Sequence, residues 1–131
     1  METRLVRRVF PALVFAAFLS GCATPPQSLY SWGSYESQVY AHLKGESRGA
    51  QIEALERDQE KIAASGKTAP PGFYAHLGLL YAEIGDDAKA IASFETEKAR
   101  FPEAAAYMNF LLKKNEKNRK EEKGEKEGGA P

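Results

Sequence analysis

The chain has 131 residues, enough for one small domain and not for two. Its 18 Lys and Arg balance 18 Asp and Glu, so no field of one sign draws it toward nucleic acid. With one cysteine, no intramolecular disulfide can form.

Met1 to Arg8 is a short basic stretch, and Val9 to Leu19 is apolar, interrupted only by Pro11. That run falls short of the roughly 20 residues a spanning helix needs. Its length and flanks are those of a secretory signal. Leu19-Ser20-Gly21-Cys22 follows and resembles the bacterial lipobox at all four positions. Two small residues let the backbone enter a peptidase groove, and the Cys22 thiol is the atom that takes a diacylglycerol thioether. The resemblance implies a signal peptide over 1–21, cleavage before Cys22 and acylation there, palmitate included. Two or three acyl chains anchor almost permanently, at roughly 0.8 kcal/mol per buried methylene. Without residues 1–21 the chain keeps 15 basic and 17 acidic residues. Ala23 is not the aspartate that retains enterobacterial lipoproteins in the inner membrane. In a Gram-negative host, the expected address is the outer membrane, periplasmic face. Residues 22–28, with Pro25-Pro26, read as a lipidated tether of polyproline character.

Residues 29–112 form the expected domain. Leu29 to Lys44 is aromatic (Tyr30, Trp32, Tyr35, Tyr40) and turns helical toward its end. Ala50 to Ser65 is an amphipathic helix with Ile52, Leu55 and Ile62 on one stripe and Glu53, Arg57 and Lys61 at four-residue spacing. Gly66 to Gly72 is a loop around Pro70-Pro71. Phe73 to about Leu112 is helical, broken at Gly85-Asp86 and at Pro102. No stretch reads as a strand, so the class is all-α. Residues 113–131 form a charged, low-complexity tail expected to be disordered, with the last helix reaching at most about Arg119.

Tyr40-Ala41-His42-Leu43 recurs as Tyr74-Ala75-His76-Leu77, an offset of 34 residues. The second copy resembles a tetratricopeptide repeat over Pro71 to Ala104. Tyr74, Leu77, Gly78 and Tyr81 take the aromatic, Leu, Gly and Tyr places of its first helix. Ala90 and Phe94 fall on the second helix, and Pro102 closes it. The reason is steric: Gly78 and Ala90 are small where two helices cross closely, and the larger residues fill the groove around them. Glu97 stands where the pattern has a small residue, so that end of the helix is expected to pack differently. In the first copy, Ser37 to Pro70, only Tyr40 and Leu43 keep the pattern. Ala104 to Leu112 suits a capping helix. The expected architecture is thus tetratricopeptide-like helical hairpins behind a lipoprotein signal.

Leu29-Tyr30-Ser31-Trp32-Gly33-Ser34-Tyr35, then Val39-Tyr40 and Phe101-Pro102-Glu103, make the chain similar to an uncharacterised family of small Gram-negative lipoproteins. Its members are usually encoded beside a lipoprotein resembling the curli-secretion pore subunit and another small lipoprotein. The resemblance implies an envelope complex and no chemistry.

Catalysis is not expected, and neither is a cofactor, a metal site or a small-molecule substrate. A Ser-His-Asp set would have to use His42 or His76, both read as partly exposed helix histidines. Asp86-Asp87 suits helix capping. An interaction surface is the alternative: Ala75, Leu79, Ala82 and Glu83, with Gln38 and Ala41 from the weaker copy, would line a small apolar concave face. Trp32, with Tyr30 and Tyr35, either fills the core or docks a partner. The reading is a membrane-anchored adaptor that binds proteins of an envelope or secretion-type complex, with a homo-oligomer as one option, and no nucleic acid. The other reading is a peptidoglycan-associated binder or regulator of cell-wall synthesis.

Overall fold

The computed structural model describes residues 28–128. The signal peptide, the tether up to Gln27 and the lipobox residues Leu19, Ser20, Gly21 and Cys22 lie outside the described residues. Among the described residues five α-helices follow one another: α1 (Tyr35–Leu43), α2 (Arg48–Ser65), α3 (Phe73–Glu83), α4 (Asp87–Arg100) and α5 (Ala105–Gly128), with a 3₁₀ turn at Pro102–Ala104 before the last. Among the described residues there is no strand, only an isolated parallel bridge between Tyr30 and Thr68. The protein is all-α.

Local chemistry sets the boundaries. The Ser47 hydroxyl accepts the Ala50 N–H at 3.4 Å, and the Asp86 carboxylate accepts the Lys89 N–H at 3.1 Å, so each caps the helix that follows. Pro102 opens the 3₁₀ turn, where its missing N–H costs nothing. Ile52, Leu55 and Ile62 of α2 are buried together with Phe73, Leu77 and Leu80 of α3, Phe94 of α4, and Met108 and Leu111 of α5. The closest contact in this core is between α3 and α4. A Cβ on Gly78 would lie 2.6 Å from Phe94 Cε1 and 3.2 Å from the Ala90 carbonyl. Only glycine allows that approach.

Glu97, the departure from the repeat pattern, is buried and works as a cap from another helix. One carboxylate oxygen accepts the Gly72 N–H at 2.6 Å, and the other accepts those of Tyr74 and Ala75 at 3.2 and 3.3 Å. These are first-turn amides of α3, which have no partner within their own helix. Asp58 does the same for α1, accepting the Ser34 N–H and hydroxyl at 2.5 and 2.6 Å. Burial alone would raise the Asp58 pKa, but the Ser34 bonds and Lys61 outweigh it and hold the carboxyl below its ordinary value.

These two caps correct the repeat spacing. Tyr74 and Leu77 are 6% and 2% exposed, whereas Tyr40 and Leu43 are 60% and 78% exposed. The shared Tyr-Ala-His-Leu therefore does not mark equivalent positions. Equivalence runs at 39 residues instead: Gly33 with Gly72 before the first helices, the caps Ser47 with Asp86, and the buried pairs Leu55 with Phe94, Asp58 with Glu97 and Ile62 with Phe101. Each hairpin thus has a carboxylate on its second helix closing the start of its first.

The tail also departs from expectation. α5 runs on as helix to Gly128, past Arg119, the furthest point expected of it, instead of giving way to a disordered tail. Lys and Glu are good helix formers, and Lys117 pairs with Glu121 one turn on, at 3.7 Å. Among its described side chains the last buried one is Asn115, three positions beyond the expected end of the domain.

Candidate partner-binding groove

α5 packs on α4 through Met108 and Leu111 and leaves a gap beside α3. The walls of that gap are Leu79, Ala82 and Glu83 of α3 facing Leu111, Lys114, Asn115 and Asn118 of α5, over a floor that includes Phe94; its volume is about 280 Å³. The α5 residues recur at steps of three or four, so they form one stripe that continues the buried Met108–Leu111 stripe past the domain core.

The polar groups of the groove are not equivalent. Asn115 is buried, and its Nδ2 donates to Asp87 Oδ1 at 3.0 Å, which fixes the amide's orientation. Its Oδ1 is buried and accepts from no group of the protein. Glu83 is already engaged: Arg48 Nε donates to it at 2.8 Å, and His42 Nε2 lies 3.6 Å away. Glu83 therefore ties α3 to the end of α1 and the start of α2 as well as forming part of the rim.

Three of the expected docking residues, Leu79, Ala82 and Glu83, thus line one groove. Ala75 lies on α3 outside the groove lining, half-buried against the core. Trp32 does not line it either: it is half-exposed on the amino-terminal segment and stacked on Tyr35, with ring centroids 6.2 Å apart. Ala41, expected to extend the face, is buried. Lys114, Asn115 and Asn118 were missed because they fall in the charged stretch read as a tail. Their spacing from Met108 and Leu111 is the signal that finds them.

The two histidines meet between α1 and α3, ring centroids 5.3 Å apart and almost perpendicular. His76 is buried, which corrects the expectation of a partly exposed position. Burial is the main influence lowering its pKa, and His42 adds to it, against Glu83 and a hydrogen bond to the Gln38 backbone. Among the described residues, no three His, Cys, Asp or Glu side chains gather into a metal site. On the opposite side of the α2–α3 contact, Tyr81 donates its hydroxyl to Glu56, which also accepts from Lys89 at 3.2 Å. That hydrogen bond is the largest influence lowering the Glu56 pKa, while burial and Glu56 push the Tyr81 phenol above its ordinary range. Both clusters hold helices to one another.

Over residues 29–111 the chain matches the domain of unknown function DUF4810, and it belongs to that family. No curated protein and no solved structure matches it.

Proposed function

We propose that this DUF4810 protein is an outer-membrane lipoprotein whose tetratricopeptide-like helical domain serves as a protein–protein adaptor in an envelope or secretion-type complex. Lipid on Cys22 supplies the address, and the groove between α3 and α5 takes a segment of the partner. One observation carries the docking half: an open groove with an apolar floor and a buried amide oxygen, Asn115 Oδ1, that has no donor. A peptide placing an apolar side chain on Leu79 and Phe94 would use that floor, and its N–H would reach Asn115 Oδ1 once a small shift of α5 uncovers that oxygen. Supporting the repeat reading are the alternation of paired helices and the close Gly78–Phe94–Ala90 crossing. Supporting the anchor is the basic, apolar, Leu-Ser-Gly-Cys order of the first 22 residues.

The test is site-specific photocrosslinking in intact envelopes. A photoreactive residue at Lys114 or Asn118 should give adducts to another protein, and one at exposed Glu95 should not. Ala82→Arg, which fills the groove, should remove those adducts while leaving helical circular dichroism intact. Monomer alone at both groove positions would sink the adaptor reading. The anchor is tested separately: labelling with a palmitate analogue should vanish in Cys22→Ala.

A further inference from the structure

The segment leading into α1 is clamped at two points and still holds its largest apolar side chains in solvent. On one side, the Ser31 N–H donates to the Thr68 carbonyl at 2.9 Å, and Tyr30 packs against Phe101 with ring centroids 6.3 Å apart. On the other, Gly33 passes so close to Asp58 that a Cβ would sit 2.6 Å from that carboxyl, and Ser34 gives the same carboxylate two hydrogen bonds. Between these clamps Trp32 is 42% exposed, and Leu29 just before them is 74% exposed. An indole held in place and half-open to solvent is not serving as core.

Two cations flank it. Lys61 is exposed and reaches the Asp58 carboxylate at 3.7 Å, and Lys67 is exposed next to Thr68. The carboxylates beneath the segment, Asp58 and Glu97, are buried and bonded to helix amides. The exposed acid in the first turn of α1 is Glu36.

We infer that Leu29 and Trp32 lie in the interfacial layer of the bilayer to which the chain is anchored, with Lys61 and Lys67 against its headgroup phosphates. The inference rests on the lipid-anchor reading above. Residues 22–27 span at most about 22 Å, at ~3.6 Å per residue, so the start of this segment cannot leave the anchored cysteine by more than that. Tryptophan favours the headgroup level, where its ring is half in hydrocarbon and its N–H stays wet. A lysine beside anionic headgroups adds about fivefold to binding. Together these groups would lay the domain on the membrane in one orientation instead of leaving it on a free leash.

Trp32 is the chain's only tryptophan, so its fluorescence reports the contact directly. The full lipidated chain, purified from envelopes, is reconstituted in phosphatidylethanolamine–phosphatidylglycerol vesicles with acyl chains brominated near the headgroup. Emission should fall roughly by half relative to unbrominated vesicles. The double variant Leu29→Ser, Lys67→Glu changes two exposed side chains and should keep its helical circular dichroism while losing about twofold of that quenching. Unchanged emission, or full quenching in the double variant, overturns the inference when mass spectrometry finds lipid on Cys22; the anchor reading then stands. A mature chain without lipid on Cys22 overturns the anchor reading, and the inference with it.

Discussion

Glu97 offers the sharpest test of the fold, because pattern and geometry predict opposite outcomes for one substitution. A tetratricopeptide pattern wants a small residue there, so Glu97→Ala should be neutral or stabilising if close helix packing governs the site. The structure says otherwise. Removing the carboxylate strands the N–H groups of Gly72, Tyr74 and Ala75, and Tyr74 is 6% exposed. A buried donor without a partner costs about 1–3 kcal/mol, and a lost helix cap typically costs about 1 kcal/mol. Water can reach the two half-buried amides, Gly72 and Ala75, which limits the sum. The net expectation is a loss of about 3 kcal/mol. Glu97→Gln keeps an acceptor but turns an NH₂ toward other donors, for a loss of about 1.5 kcal/mol. Exposed Glu95, paired with Lys98, is the control, and Glu95→Ala should cost under about 0.5 kcal/mol. Urea unfolding followed by helical circular dichroism reads all three. With a slope near ~1 kcal/mol per molar, Glu97→Ala should lower the midpoint by about 3 M. An unchanged or raised midpoint would refute the cap and restore the small-residue reading.

Gly78→Ala places a Cβ 2.6 Å from Phe94 Cε1 and 3.2 Å from a carbonyl, and should cost about 1–3 kcal/mol in the same assay. No loss would mean that α3 and α4 cross more loosely. Gly33→Ala meets the Asp58 carboxyl at 2.6 Å from a left-handed backbone (φ 50°), so it should cost about 1–2 kcal/mol and shift Trp32 emission; an unchanged spectrum would count against the clamp. His76 makes stability fall with acid. Its folded pKa lies below the ordinary 6.5, so both states are neutral and stability is full above that pH. As pH falls from 6.5 toward the folded pKa, the unfolded chain takes the proton first and stability drops. His76→Gln should flatten that part of the urea midpoint against pH, and a slope identical to the parent's would rule His76 out as its source.

Much of the architecture is legible from residue order because local chemistry determines it. The stripe Ile52, Leu55, Ile62 marks a buried helix face, and the three side chains are buried as its period requires. Asp86 lies where a cap must lie after a helix ends at Gly85, and Gly78 is small where Phe94 needs room. What escapes the sequence is long-range. Nothing local to Asp58 or Glu97 says that each carboxylate will meet a helix start about 24 residues earlier in the chain. Both read as ordinary charges on amphipathic helices. The paired capping, and with it the 39-residue spacing, exists only once the hairpins close.

The candidate site follows the same logic. Its α3 wall is legible, since Leu79, Ala82 and Glu83 occupy one flank of a helix whose other flanks are plainly core. Its α5 wall is hidden by composition. Lys113 to Lys117 is so polar that a boundary at Leu112 looks natural, yet Asn115 falls on the Met108–Leu111 stripe and is carried into the interior by it. A buried asparagine with its amide nitrogen bonded and its buried oxygen accepting from no group of the protein is a poor choice for stability alone. An apolar residue at that position would fill the space without the desolvation cost of about 1–3 kcal/mol. Asn115→Leu therefore separates the two roles. It should raise the urea midpoint or leave it unchanged, and at the same time abolish crosslinking from Lys114. If instead it destabilises the fold by several kcal/mol and spares the crosslink, Asn115 belongs to the core through its bond to Asp87. The groove would then be left with Lys114 and Asn118 of α5 as its polar contacts for a partner.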